Sequence, residues 1–263
     1  MATLSRTAPG GDSLSRLAPI LFAILQILTP VLPQLGIGDP IGDQSDSVRT
    51  LITPAGWAFS IWSVLYAGSL AFAIYQALPA QRHNPLLREI RWPAAGAFLG
   101  NAVWAAYTQI YGLSVISTAI ILFTLACLLA IYRRFAAWKR PLRPGERWCA
   151  VLALSALGGW LTAASIVNIA ASLQFHGVEA GDGAALISAA LVVVGGAIVC
   201  AALLRGRGNP AYGVVFLWAL AAIFAAGGQR AGEVAGAVVV AAVLVIAGMA
   251  LGLRRGGTAH WFG

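Results

Sequence analysis

The sequence predicts an all-α, polytopic transmembrane helical bundle of about eight helices. Three observations carry this. Of 263 residues, 59% are hydrophobic and only 10% charged. A water-soluble domain normally carries about a quarter charged residues, so this chain cannot clothe itself in a hydrated surface. Apolar stretches of roughly 20 residues, long enough to cross a ~30 Å hydrocarbon core, recur along most of its length, with the basic residues gathered in short connections. Backbone polar groups in lipid must be satisfied internally, and stretches of that length do so as helices.

In chain order the spans are predicted at residues 17–34, 54–78, 93–110, 115–132, 149–172, 184–204, 210–226 and 233–253. The first follows a polar arm with Arg6 and no cleavage site. It has the length of a signal-peptide core, but the topology requires that it be retained. The second, third and seventh open at Pro54, Pro93 and Pro210, where the missing N–H costs nothing at a helix start. The seventh is short and ends softly at Gly227-Gly228. The eighth carries Gly228, Gly232 and Gly236 at its start and Gly248 and Gly252 near its end. Small residues at that spacing let helices approach closely in lipid, either within one chain or across a homodimer seam.

The connections test the count. With the amino terminus placed inside, the inner side holds Arg6, Arg16, Arg82, Arg88, Arg91, Arg133, Arg134, Lys139, Arg140, Arg143, Arg147, Arg205, Arg207, Arg254 and Arg255. Only Arg49 and Arg230 fall outside, so 15 of 17 basic residues share one side, as the positive-inside rule demands. The acids lean outward: Asp39, Asp43, Asp46, Glu179, Asp182 and Glu233, against Asp12, Glu89 and Glu146 inside. A missed helix would scramble this segregation. Eight spans with both termini cytoplasmic are expected. Arginine outnumbers lysine 16 to 1 and Ala and Gly abound, a composition suited to a bacterial inner-membrane protein.

The net charge of +8 is thus a matter of topology, and no nucleic-acid partner is expected. No Asp, Glu, Lys, Arg or His sits mid-span, which argues against ion-coupled transport and proton relays. His83, His176 and His260 lie in loops or the tail, away from any intramembrane haem position. Cys127, Cys149 and Cys200 lack metal or disulfide spacing. No cofactor, metal site or catalytic residue is expected.

With charge absent, aromatic and amide groups inside the spans are informative. The second span opens Thr53-Pro54-Ala55-Gly56-Trp57 and continues to Trp62 and Tyr66. Trp57 suits an interfacial belt, whereas Trp62 lies ~12 Å below Pro54 at 1.5 Å per residue. Asn101 and Trp104 share one face of the third span, and Trp160, Ala164 and Asn168 form a stripe on the fifth. Helix–helix hydrogen bonding and ligand contact both fit these amides. Trp62, Asn101 and Trp160 are expected at similar depth, with Trp104 and Asn168 nearer the outer face. Indole rings with a few amides suit a flat, largely apolar ligand, entering beneath the loop at 36–53.

At these residues the chain resembles the TspO/MBR family of tryptophan-rich sensory and translocator proteins. The second-helix signature is similar to Thr53-Pro54-Ala55-Gly56 through Trp62 and Leu65-Tyr66. The third-helix Asn-x-x-Trp resembles Asn101 and Trp104, and the fifth-helix Trp with Asn eight residues on resembles Trp160 and Asn168. Departures are Ala55 for the second Pro, Ile52 for a Trp, and Ala156-Leu157 for a Pro-Tyr. The resemblance implies a five-helix unit over residues 1–173 and three further transmembrane helices over 174–263. It implies a pocket, with Pro54, Trp62, Tyr66, Asn101, Trp104, Trp160, Ala164 and Asn168 as its ligand-binding residues. The implied ligand is a tetrapyrrole such as protoporphyrin IX, or a sterol-like hydrophobic molecule.

Three functions are weighed: a membrane sensor or receptor, a carrier for amphipathic solutes, and a porphyrin-degrading enzyme. Pro210-Ala211 followed by Trp218 repeats the Pro54-Ala55 to Trp62 spacing in opposite orientation, as inverted repeats do in carriers. Two matched residues and one Trp carry little weight, and the absence of acid–base groups disfavours ordinary catalysis. The sensor reading leads.

Overall fold

The computed structural model describes residues 9–178 and 180–263. Arg6 and Glu179, both used in the charge segregation, lie outside the described residues, as does the side chain of Asp12. Among the described residues the chain is helical and has no strand. Helix α1 (Pro9–Leu28) tightens into a 3₁₀ stretch at Thr29–Leu35. There follow α2 (Ile41–Ser47), α3 (Ile61–Ala77), α4 (Pro85–Tyr111) and α5 (Val115–Ala137). A π-helical turn at Glu146–Leu152 leads into α6 (Ala153–Phe175). Next come α7 (Ala184–Arg205), α8 (Pro210–Ile223), α9 (Gly232–Gly252) and the short α10 (Thr258–Phe262).

Seven of these stretches are long and apolar enough to cross a membrane, and the chain is an integral membrane protein. The remaining expected span is α4, which has the length but not the apolarity. Its buried face carries Asn101, Thr108 and Gln109. It packs against α1 and α5, so protein and not lipid surrounds those side chains.

Helix α4 also begins at Pro85, well before the expected start at Pro93. Asn84 caps it, its side chain accepting from the Leu87 N–H at 3.2 Å, and Pro85 occupies the first helical position. Charge had marked this stretch as loop, yet Arg91 is buried inside the helix. Its Nε donates to Gln76 Oε1 at 3.0 Å, and a terminal nitrogen donates to the carbonyls of Gln76 and Gln81. A guanidinium so furnished can leave water; sequence spacing does not reveal such partners.

Amides bind the first helices together. Asn101 donates to Gln26 Oε1 at 3.2 Å, Gln76 to the Arg16 carbonyl at 2.8 Å, and Gln109 to the Thr29 carbonyl at 3.1 Å. Apolar attraction between helices is weak in lipid, so bonds of this kind and close packing hold a bundle.

The most enclosed span is the one containing α6, 72% buried over its apolar stretch against 28–50% for the others. It packs against α5 on one side and α8 on another. Gly159 permits the α8 contact: a Cβ there would lie 2.4 Å from the Tyr212 carbonyl oxygen. Thr162 and Tyr212 share a hydrogen bond of 2.7 Å, and Asn209 donates to Ser155 Oγ at 2.8 Å. Helices α7 and α9 pair closely, Gly196 against Ala241 and Gly248 against Cys200, while Gly252 meets Gly208 in the turn after α7. Gly232 and Gly236 meet nothing within 4 Å.

Candidate functional site

The site is built where α3 begins. Thr53-Pro54-Ala55 runs extended, fixed at one end by Thr53 Oγ1, which accepts from the Thr50 N–H at 2.9 Å. At the other end the Ala55 N–H donates to the Ala222 carbonyl at 3.0 Å, which ties the segment to α8. A 3₁₀ turn at Gly56–Ser60 follows before α3 takes over at Ile61. Trp218 clamps this turn. Its indole N–H donates to the Ala58 carbonyl at 3.2 Å, and its ring meets Trp57 edge-on, centroids 4.9 Å apart.

One turn further, Trp62 lies between three aromatic neighbours. It is nearly parallel to Trp104 at 6.4 Å, tilted on Tyr66 at 5.2 Å, and edge-on to Trp160 at 6.0 Å. Phe59 also meets Trp160 edge-on, at 6.2 Å. Arrangements of this kind contribute beyond the area they bury. Trp104 donates its N–H to Asn168 Oδ1 at 2.8 Å, and Asn168 Nδ2 lies 3.0 Å from both Ser117 Oγ and Thr118 Oγ1.

Two hollows adjoin the cluster. The inner one, about 50 Å³, is bordered by Pro54, Phe59, Trp62, Trp104, Trp160, Ala164, Asn168 and, from α8, Ala219 and Ile223. The outer one, about 310 Å³, lies under α2 between Pro40, Ile41, Asp46, Pro54, Tyr66 and Gln109. Pro54, Phe59, Trp62 and Ile41 border both. Small-molecule pockets span roughly 300–1,000 Å³, which admits the outer hollow but not the inner one. The inner space equals about one or two waters at ~30 Å³ each.

The structure therefore brings together seven of the eight residues singled out in the sequence: Pro54, Trp62, Tyr66, Trp104, Trp160, Ala164 and Asn168. Asn101 borders neither hollow and is engaged with Gln26. Phe59, Ala163, Val167, Ala219 and Ile223 also border the inner hollow. Ala163 and Val167 were findable, three and seven residues after Trp160 and so on its face of the helix. Ala219 and Ile223 were not, since nothing local places α8 beside α3.

Two polar groups in the cluster are unsatisfied. The indole nitrogens of Trp62 and Trp160 are buried without a hydrogen-bond partner. An unmet buried donor costs about 1–3 kcal/mol, and an acceptor entering between the rings would recover it. Among the described residues no group of three His, Cys, Asp or Glu side chains converges as metal ligands would. Among the described residues Asp46, on the outer rim, is the single acid bordering either hollow.

A family model described as TSPO-like protein matches residues 14–252, through the end of α9. No curated protein and no solved structure matches the chain.

Proposed function

Because the chain belongs to the TSPO-like protein family, we propose that it is a membrane sensor for a flat, largely apolar ligand of the tetrapyrrole class. The ligand enters the outer hollow beneath α2 and slides against Trp62, parting it from Trp104 or Trp160. The carrying observation is the pair of buried, unpartnered indole N–H groups on Trp62 and Trp160. Rings supply area for a planar molecule while those two donors take its carbonyl or carboxylate acceptors. Gln109 and Asp46 border the outer hollow and meet the polar edge. Sterol-like molecules share the apolar body and offer a single hydroxyl, and are bound less well on this reading.

The test is a titration of the purified protein in detergent with protoporphyrin IX, followed by tryptophan fluorescence. Saturable quenching with the porphyrin recovered intact is the expected result. Quenching that never saturates removes the proposal. New absorption bands during the titration favour breakdown of the porphyrin, and net flux in liposomes favours a carrier.

A further inference from the structure

A third hollow, of about 190 Å³, lies at the opposite end of the bundle, where α6 and α8 begin and α10 folds back. Its walls are mostly apolar and aromatic: Trp148, Val151, Leu152, Ala211 and Phe262, with Arg147 among them. Trp261 closes the floor, held by its indole N–H on the Arg207 carbonyl at 2.8 Å.

Arg147 is the unusual member. Among the described residues its side chain makes one hydrogen bond, from a terminal nitrogen to the Phe262 carbonyl at 3.1 Å, and its Nε is buried with no partner. No carboxylate pairs with it among the described residues. The neighbouring Glu146 is occupied elsewhere, accepting from Asn84 Nδ2 at 2.7 Å and from the Arg143 N–H at 2.8 Å. The guanidinium is thus partly shielded, with its terminal nitrogens at the exposed rim, and its planar fork suits a phosphate. Free phosphate would leave the rest of the hollow unexplained. Trp148 is 69% exposed and Phe262 63%, so the apolar wall runs out from Arg147 onto the surface of the span, where acyl chains lie. The end of the bundle is also rich in Arg, as anionic headgroup sites are.

We propose that this hollow binds one anionic phospholipid, its phosphate on Arg147 and an acyl chain along Val151, Leu152 and Ala211. The site is separate from the aromatic cluster and does not rest on the porphyrin reading.

The full chain, purified in detergent and stripped of lipid, is titrated with phosphatidylglycerol, with phosphatidylcholine and with inorganic phosphate while bound lipid is counted by native mass spectrometry. Phosphatidylglycerol is expected to be retained at a ratio of one, and Arg147→Gln to weaken it about tenfold, the scale of a lost charge-assisted bond. Trp148→Ala, an exposed position with no packing role, should weaken it too and keeps the test open if Arg147→Gln misfolds. Arg255→Gln should bind as wild type. Equal retention of phosphatidylcholine, competition by inorganic phosphate at similar concentration, or equal loss in Arg255→Gln would each overturn the proposal.

Discussion

Trp104 and Asn168, on helices four and six, are joined by a 2.8 Å hydrogen bond in which the indole N–H donates to the amide oxygen. Ser117 and Thr118 on α5 hold the same amide from its other side, so three helices meet at one side chain. Asn168→Leu should leave the Trp104 donor unmet and destabilise the fold by about 2 kcal/mol. Thermal unfolding in detergent reads this, and an unchanged midpoint would show that the amide is not structural.

The two unpartnered indoles behave differently. Trp62→Ala and Trp160→Ala should each weaken protoporphyrin IX binding several-fold, since losing a stacking ring costs about 1 kcal/mol beyond area. Expression should be unaffected. The sharper variant is Trp160→Phe, which keeps a ring and removes the donor; a drop in affinity there isolates the N–H from the stack.

Trp218 stands outside both hollows, and on sequence spacing alone it would serve as an inert control. The clamp on Ala58 changes that expectation. Trp218→Phe should cost about 1 kcal/mol of stability, the typical worth of such a bond, and lower porphyrin affinity by loosening Gly56–Ser60. Full affinity in this variant would mean that the 3₁₀ turn holds its place without α8.

Gly38 sits at φ +71°, and a Cβ on it would come within 2.3 Å of the Gln109 carbonyl oxygen. The adjacent Asp39 N–H donates to that same carbonyl at 2.8 Å. Gly38→Ala should therefore cost about 1–3 kcal/mol of local strain and lift the cover of the outer hollow. Faster limited proteolysis in residues 36–53 is the readout; wild-type resistance would refute it.

Orientation is open to direct measurement. A reporter after Gly263 should read cytoplasmic, and one within residues 177–183 external. An external reading at the carboxyl terminus would require an odd number of crossings.

The spans were legible because hydrocarbon thickness sets their length and little else in the chain is charged. The aromatic cluster was legible because Trp62, Trp104 and Trp160 are bulky, deep and evenly placed. The Asn101–Gln26 bond was not legible, because an amide at that depth reads alike whether it faces a ligand or the first helix. The start of α4 was hidden by Arg91, whose partners come from residues 76 and 81. The part of α8 in the site was hidden for a related reason. Ala219 and Ile223 are ordinary lipid-soluble residues, and the contacts that set their helix against α6, the Gly159–Tyr212 approach among them, are made elsewhere along it.

The inner hollow, at about 50 Å³, has a kinetic meaning. A porphyrin cannot occupy it while Trp62 keeps its neighbours, so each capture waits for the rings to separate. Association should then be slow and unimolecular at high ligand, its observed rate levelling off at the frequency of that separation and not climbing towards diffusion. The fraction of molecules already open multiplies the intrinsic affinity, so a rarely open stack lowers it. A substitution that thins the stack without touching the donors, such as Tyr66→Ala, would therefore speed arrival even where it weakens the final hold.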